Sequence, residues 1–137
     1  MIINGNLDLS YSSPMLKSLG ELEEVKKILS LTFSSVQSLG KLKKIDSGRF
    51  SSCQNLKSLE NLEEVKDFLV LKFCKNLISL GKLQKVKGEL DLQYCSSLKD
   101  LGELKIVKKI NLFGSGITKQ YMKKEKPFLL DKCIWTD

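Results

Sequence analysis

The sequence predicts a parallel β-solenoid of about six coils, with one short strand in each coil. Three observations predict it: an apolar skeleton that recurs every 20 or 21 residues, a stretch of alternating apolar and polar residues in each repeat, and a glycine at the same point of most repeats. A repeat of this length cannot enclose a core of its own. Stacked coils cover one another, and the recurring leucines then form continuous columns.

The repeat is clearest in two stretches, "KFCKNLISLGKLQKV" at 72–86 and "QYCSSLKDLGELKIV" at 93–107. The last residue of this pattern marks five units, at Val25, Ile45, Val65, Val86 and Val107. Three columns precede it, formed by Leu16, Val36, Leu56, Leu77 and Leu98, by Leu19, Leu39, Leu59, Leu80 and Leu101, and by Leu22, Leu42, Leu62, Leu83 and Leu104. These positions persist while the intervening letters change, so we interpret the columns as core and the other positions as surface.

The strand of each unit follows the valine column, in "ILSLTF", "RFSS", "FLVLKF", "ELDLQY" and "INLFG". Alternation with a period of two is the pattern of a β-strand with one buried face. A corner is expected earlier in each unit, where Gly20, Gly40, Gly81 and Gly102 follow a core leucine and Glu60 is the exception. Glycine at this point indicates a tight turn with positive φ.

The chain is expected to form one domain with three parts: an N-terminal capping coil at 1–28, repeats at 29–117 and a C-terminal cap at 118–137. Thr118 is the N-cap candidate of a helix that ends near Lys126, because Pro127 interrupts it. The residues expected to cover the last open edge of the core are Phe128, Leu129, Leu130, Ile134 and Trp135.

Composition favours a soluble cytoplasmic protein that is not an enzyme. The N-terminus "MIINGNLDLS" has no basic start or apolar run of a secretory signal, and no window approaches the ~20 apolar residues of a membrane span. Histidine, the commonest general base and metal ligand, is absent from the sequence. We therefore expect reduced thiols, no cofactor and no catalytic residues.

The net charge of +7 lies entirely in the second half of the chain. Residues 1–67 carry nine basic and nine acidic side chains, whereas residues 68–137 carry fourteen and seven. Such a field favours an acidic partner, either nucleic acid or an acidic protein face, although solubility alone also explains it. Two columns alternate in sign along the stack and are expected to fix register: Glu23, Lys43, Glu63, Gln84 and Lys105, and Glu24, Lys44, Glu64, Lys85 and Ile106.

The consensus LxLxxCxxLxSLGxLxxV, carried by residues 7–117, resembles the leucine-rich repeat family, especially its cysteine-containing variety. The units are most similar to short arrays in bacterial and phage proteins, and the resemblance implies binding rather than chemistry. Cys53, Cys74 and Cys95 match the family's asparagine-or-cysteine position, which implies a structural role beneath a turn. Zinc sites usually use CxxC pairs, which this sequence lacks, so no metal site is expected.

The family's geometry implies that residues between and just after the strand leucines point outward on the sheet. Phe68 and Val70 would form an apolar patch there, and such a patch suggests a partner. The expected partner-binding residues are Ile28, Arg49, Phe68, Val70, Lys72, Phe73, Gln93, Tyr94 and Phe113. A neighbouring column contains Tyr11, Phe33, Ser52, Phe73 and Tyr94. Strand alternation would bury these rings, whereas the resemblance puts them on an exposed rim, and both alternatives remain open.

The favoured function is a monomeric, non-catalytic protein-binding module that acts by occupying a surface. It is expected to be an inhibitor or adaptor, for example an anti-CRISPR-type antagonist of a nucleic-acid-handling enzyme, although that example rests on analogy. The alternative is direct binding of RNA or DNA through a basic patch formed by Lys105, Lys108, Lys109, Lys119, Lys123, Lys124 and Lys126. Arg49 is the only arginine in the sequence, so base-specific readout is not expected.

Overall fold

The computed structural model describes residues 1–136 and shows a parallel β-solenoid of about six turns, as predicted. Asp137, the last residue of the predicted C-terminal cap, lies outside the described residues. The strands are β1 (Ile2–Ile3), β2 (Leu7–Asp8), β3 (Glu24–Ser30), β4 (Lys44–Arg49), β5 (Glu64–Val65), β6 (Leu69–Val70), β7 (Lys85–Asp91), β8 (Ile106–Asn111) and β9 (Cys133–Ile134). Helix α1 spans Lys119–Glu125, and a 3-10 helix spans Pro127–Lys132.

Equivalent residues of successive coils are hydrogen-bonded neighbours, and every strand pairing is parallel. We number the coils from the valine column: coil 1 spans 3–24, coil 2 25–44, coil 3 45–64, coil 4 65–85, coil 5 86–106, and coil 6 begins at 107. The prediction of one short strand per coil needs correction. The valine column pairs as well as the leucine column, and in coil 4 the two paired segments are separate, as β5 and β6.

The predicted glycine corners are present. Gly20, Gly40, Gly81 and Gly102 have φ values between +56° and +60°. A Cβ at Gly40 or Gly102 would overlap the carbonyl oxygen of the corner residue in the preceding coil. Glu60 has the same conformation, with a φ of +50°. Its carboxylate accepts hydrogen bonds from Ser38 Oγ at 3.1 Å and from the Leu39 amide at 3.0 Å. These bonds offset the strain of a non-glycine residue at this corner.

The core is a set of leucine columns, and in one coil a glycine and a phenylalanine take the place of two leucines. In the first leucine column of the sheet, coil 3 has Gly48 where coils 2 and 4 have Leu29 and Leu69. A Cβ on Gly48 would lie 2.6 Å from Leu69 Cδ1 and 3.1 Å from Phe50 Cε1. The Phe50 side chain, which has no exposed surface, therefore shares the space at Gly48 with Leu69 and with Ile45, whose Cδ1 would lie 2.9 Å from that Cβ.

The two ends of the stack differ. The first coil leaves Leu7, Leu9, Leu16 and Leu19 only partly buried, although they pack against the core. Beyond coil 6, the Thr118 hydroxyl oxygen accepts a hydrogen bond from the Tyr121 amide at 3.0 Å and N-caps α1. The residues of this segment that belong to the buried core are Met122 and Leu129. Phe128 differs from the expectation, because its side chain is 57% exposed.

The alternating charge columns are stacked in register, but they do not form the ion pairs that alternation suggested. Glu24 pairs with Lys44 through the backbone, and Lys44 with Glu64. Within residues 1–136, no ammonium and carboxylate of the same column come within 4.0 Å of each other. The short contact is at another column, where Lys41 Nζ lies 2.7 Å from Glu21 Oε2. Register therefore depends on the backbone ladder and the core.

Candidate binding surface on the sheet

The outward positions of the strands form one continuous surface, here called the sheet face. Arg49 is aligned with Val70 on the next coil, and Val70 with Asp91 on the coil after that. Val70 and Phe68 are half-buried, and Arg49 is exposed. The Arg49 guanidinium carbon lies 5.8 Å from the centre of the Phe68 ring, a cation–π distance. The structure thus brings the expected apolar patch and a cation together.

Ile28 and Gln93 are less available than their outward positions suggested. Ile28 is half-buried beside Ser47 on the next coil, and its amide donates to Asn6 Oδ1 at 3.0 Å. The Gln93 side-chain amide donates to both oxygens of the Asp91 carboxylate, at 3.1 Å and 3.0 Å. Gln93 therefore orients the Asp91 carboxylate, and its side-chain donor is already hydrogen-bonded within the chain.

The structure settles the column of aromatic residues in favour of exposure. All five members, including Ser52, have φ values between +55° and +65°. This left-handed conformation ends the strand alternation, so the side chains leave the core. Tyr11 is 75% exposed, Phe33 56% and Phe73 39%. The direction of these side chains is therefore set by the left-handed turn after the strand and not by the alternation within the strand.

The rings stack along the solenoid as an aromatic ladder, defined as Tyr11, Phe33, Phe73 and Tyr94 with Phe113 at its edge; Tyr94 and Phe113 are half-buried. Tyr11 and Phe33 have ring centres 5.3 Å apart at an angle of 20°, and Phe73 and Tyr94 are 4.9 Å apart at 6°. Phe113 meets Tyr94 edge-on at 5.5 Å. Ser52 interrupts the ladder. Lys72 Nζ lies 5.9 Å from the centre of the Phe73 ring, so the ladder adjoins the sheet face.

The basic patch is only partly as expected. Six of its seven lysines are exposed. Three lie at the start of coil 6 or just before it, Lys105, Lys108 and Lys109, and three lie on α1, Lys119, Lys123 and Lys124. Among the described residues, none of these six has a carboxylate oxygen within 4.0 Å. Lys119 Nζ lies 5.8 Å from the centre of the Trp135 ring.

Lys126 has a different role from the rest of the basic patch. Its ammonium donates to the carbonyl oxygens of Gly102 at 2.8 Å and Leu104 at 3.1 Å, and so attaches the C-terminal segment to coil 5. Burial lowers the pKa of Lys126. Its side chain binds the chain itself, and no sequence pattern indicated this, because both acceptor carbonyl groups belong to coil 5.

The three repeated cysteines form a ladder inside the turns. The thiols of Cys53, Cys74 and Cys95 donate to the carbonyl oxygens of Leu31, Phe50 and Leu71 in the preceding coils, each at 3.0 Å. Burial raises the pKa of Cys95 to about 12. Each thiol therefore satisfies a buried carbonyl group. In the part of the chain that the structure describes, no three Cys, Asp or Glu side chains converge to hold a metal ion.

Neither helix among residues 1–136 is long and apolar enough to cross a membrane. The surface depressions are open to solvent. One of about 410 Å³ is lined by Glu23, Lys41, Lys43, Asn61, Glu63 and Lys82, on a side of the coils away from the aromatic ladder. Comparisons with models of protein families, with curated proteins and with solved structures gave no match for this chain.

Proposed function

We propose that this protein is a leucine-rich-repeat-type solenoid that acts in the cytoplasm as a monomeric, non-catalytic protein-binding module. The observation that carries the proposal is the exposed aromatic ladder beside the cationic and apolar part of the sheet face. In the style of short arrays from bacteria and phages, it serves as an inhibitor or adaptor, for example as an anti-CRISPR-type antagonist of a nucleic-acid-handling enzyme. It occupies a surface of its partner and needs no cofactor.

The aromatic ladder supports protein binding because its exposure is unfavourable in the free chain. Bulky residues at positive φ are strained, by about 1 kcal/mol or more each, and strain of this kind clusters at functional sites. Four aromatic residues are in this conformation, with Phe33 and Tyr11 more than half exposed. Aromatic side chains also dominate the energetics of protein interfaces. A partner that covers the ladder would bury this apolar surface.

The C-terminal segment is proposed to cap the solenoid. An open stack of repeats needs a terminal element with a polar outer face. The segment buries Met122 and Leu129, while Lys119, Lys123 and Lys124 are exposed on its outer side. The Leu101 amide of coil 5 donates to the Tyr121 hydroxyl at 2.8 Å, which ties α1 to the repeats. This arrangement leaves the sheet face free for a partner.

The test is capture of a partner from lysate of the source cell with the immobilised full chain. We expect Phe68→Asp with Val70→Asp to reduce the captured partner at least about tenfold, because two carboxylates would replace the apolar centre of the face. The matched control carries Ile78→Asp and Ile106→Asp, two exposed apolar residues outside the proposed surface. The control should capture the partner as the wild type does. Equal capture by both double variants would exclude the sheet face as the binding surface.

Direct nucleic-acid binding is the second candidate, favoured by the six exposed lysines of the basic patch, which have no ion-pair partner among residues 1–136. Binding of this kind depends on phosphate contacts and falls steeply between about 50 mM and about 200 mM salt. We expect the wild type to show no salt-sensitive binding of single-stranded RNA or DNA. The triple variant Lys119→Glu, Lys123→Glu and Lys124→Glu tests whether any binding that is seen depends on the basic patch. A wild-type complex that this triple variant abolishes would establish the second candidate in place of the first.

A further inference from the structure

Ser52 leaves a gap one ring wide in the aromatic ladder. Its φ of +58° lies between those of Phe33 and Phe73, so its Cβ leaves the backbone in the same direction as theirs. The stacked pairs have ring centres 4.9 Å and 5.3 Å apart, close to the spacing of neighbouring strands. Phe33 and Phe73 are two coils apart, so their rings are separated by about 10 Å. A planar ring in the gap would lie about 5 Å from each, the spacing of the chain's own pairs.

One cation borders the gap, and a second lies further back on the sheet face. Lys72 extends over the Phe73 ring that forms one wall. Arg49 precedes Ser52 by three residues in the same coil, and its guanidinium lies over Phe68, further back on the sheet face. Within the described chain, neither side chain has a carboxylate oxygen within 4.0 Å. The neighbours of Arg49 along its column are Ser30 and Val70, which carry no charge. A group that enters the gap therefore meets two apolar walls and the Lys72 ammonium, and a segment that continues along the sheet face reaches Arg49.

We propose that the gap at Ser52 receives one aromatic side chain of a partner protein, from a segment that also carries carboxylates. This inference rests on the proposed protein-binding function and names the chemistry of its partner. The ring stacks between Phe33 and Phe73 and completes the ladder, and the neighbouring carboxylates pair with Arg49 and Lys72. Charge complementarity selects an acidic segment, and the width of the gap selects a single ring.

A nucleic-acid strand fits the same place less well. Proteins that bind single strands offer successive stacking platforms along a continuous basic groove. Here the gap holds one ring, and the sheet face carries Asp8 on one side of it and Asp91 and Glu89 on the other. Asp8 and Asp91 are each two coils, about 10 Å, from Arg49 in the same column, so a strand that extends along the stack would bring its phosphates beside them, whereas a short segment keeps its carboxylates near Arg49 and Lys72.

The experiment uses the full chain and the peptide acetyl-Asp-Glu-Tyr-Glu-Asp-amide, titrated while the backbone amides are observed by NMR. We expect shifts concentrated at the amides of Phe33, Ser52 and Phe73, and no such shifts with the same peptide carrying alanine for tyrosine. Ser52→Phe should weaken binding of the tyrosine peptide at least tenfold, because the new ring fills the gap. Ser97→Phe makes the same change at an exposed serine outside the ladder and should bind as the wild type does.

Two further variants keep the test decisive if Ser52→Phe does not fold. Phe33→Ala and Phe73→Ala each remove one wall and should each weaken the peptide at least tenfold. The inference is overturned if the tyrosine and alanine peptides bind alike, or if Ser52→Phe binds like the wild type. It is also overturned if only a ten-nucleotide oligothymidylate shifts these amides. Capture from lysate that survives Ser52→Phe but not Phe68→Asp with Val70→Asp would reject the gap and leave the proposed function intact.

Discussion

Replacing Phe50 with alanine is expected to lower the free energy of unfolding by about 3–5 kcal/mol. The Phe50 side chain has no exposed surface, and together with Ile45 and Leu69 it fills the space that Gly48 leaves in the core. Alanine would leave a cavity in the middle of the stack, where coils 2 and 4 cannot collapse onto each other without breaking the backbone ladder. Chemical denaturation of both proteins measures the difference.

A double-mutant cycle tests the shape relation between Gly48 and Phe50. Gly48→Leu alone should destabilise the protein strongly, because a Cβ there already approaches Leu69 Cδ1 to 2.6 Å. Phe50→Leu alone should leave a cavity. The double variant restores the pattern of coil 4, Leu69 and Leu71, so its loss should be smaller than the sum by about 1–3 kcal/mol. Additive losses would show that the two side chains do not share one volume.

Leu129→Asp is expected to open the C-terminal end of the solenoid without unfolding its centre. Leu129 is 3% exposed, and an unpaired carboxylate is very unfavourable in an apolar site. Because each coil contacts only its neighbours, the damage should stay local. Hydrogen exchange should accelerate at least about a hundredfold at the Leu112 amide, which donates to Ile134 at 2.8 Å. The Leu71 amide, which donates to Asp91 in the middle of the stack, should keep its protection.

Phe128→Asp is the matched control, because it makes the same class of change one residue away at a side chain that is 57% exposed. Its exchange pattern should match that of the wild type. Uniform loss of protection in Leu129→Asp, including Leu71, would contradict the coil-by-coil account of stability. Equal effects of the two variants would show that the C-terminal segment does not cover the core through Leu129.

The repeat period alone predicted the architecture, because a solenoid translates sequence spacing directly into spatial neighbours. Val25 stacks on Ile45 and Val65 on Val86, as the 20- and 21-residue spacing indicated. The corner glycines were also predictable, since their left-handed φ is a property of the residue type. Glu60 was visible as an exception, but its bonds to Ser38 and Leu39 depend on the neighbouring coil and could not be derived from spacing.

The surface was harder to predict, because side-chain direction there depends on local dihedral angles. Alternation gave the wrong phase at Phe33 and Phe73, since the chain enters a left-handed turn at these positions. Lys126 was predicted to belong to the basic patch, but in the fold its ammonium donates to two carbonyl groups within 3.1 Å. The charge columns were in register, yet their long side chains do not meet. Stacked backbones position the Cα atoms, whereas exposed lysines and glutamates are free to point elsewhere.

The claim on which everything depends is that 19 to 23 residues complete one coil, so that each coil pairs in parallel with the next. NMR couplings transmitted through backbone hydrogen bonds test it most directly. The account predicts couplings from the amides of Leu31, Phe50, Leu71 and Leu92 to the carbonyl carbons of Arg49, Val70, Asp91 and Asn111, whose hydrogen bonds are 2.7 to 2.9 Å long. Couplings that join these amides to an antiparallel partner, or to carbonyl carbons other than these four, would contradict it.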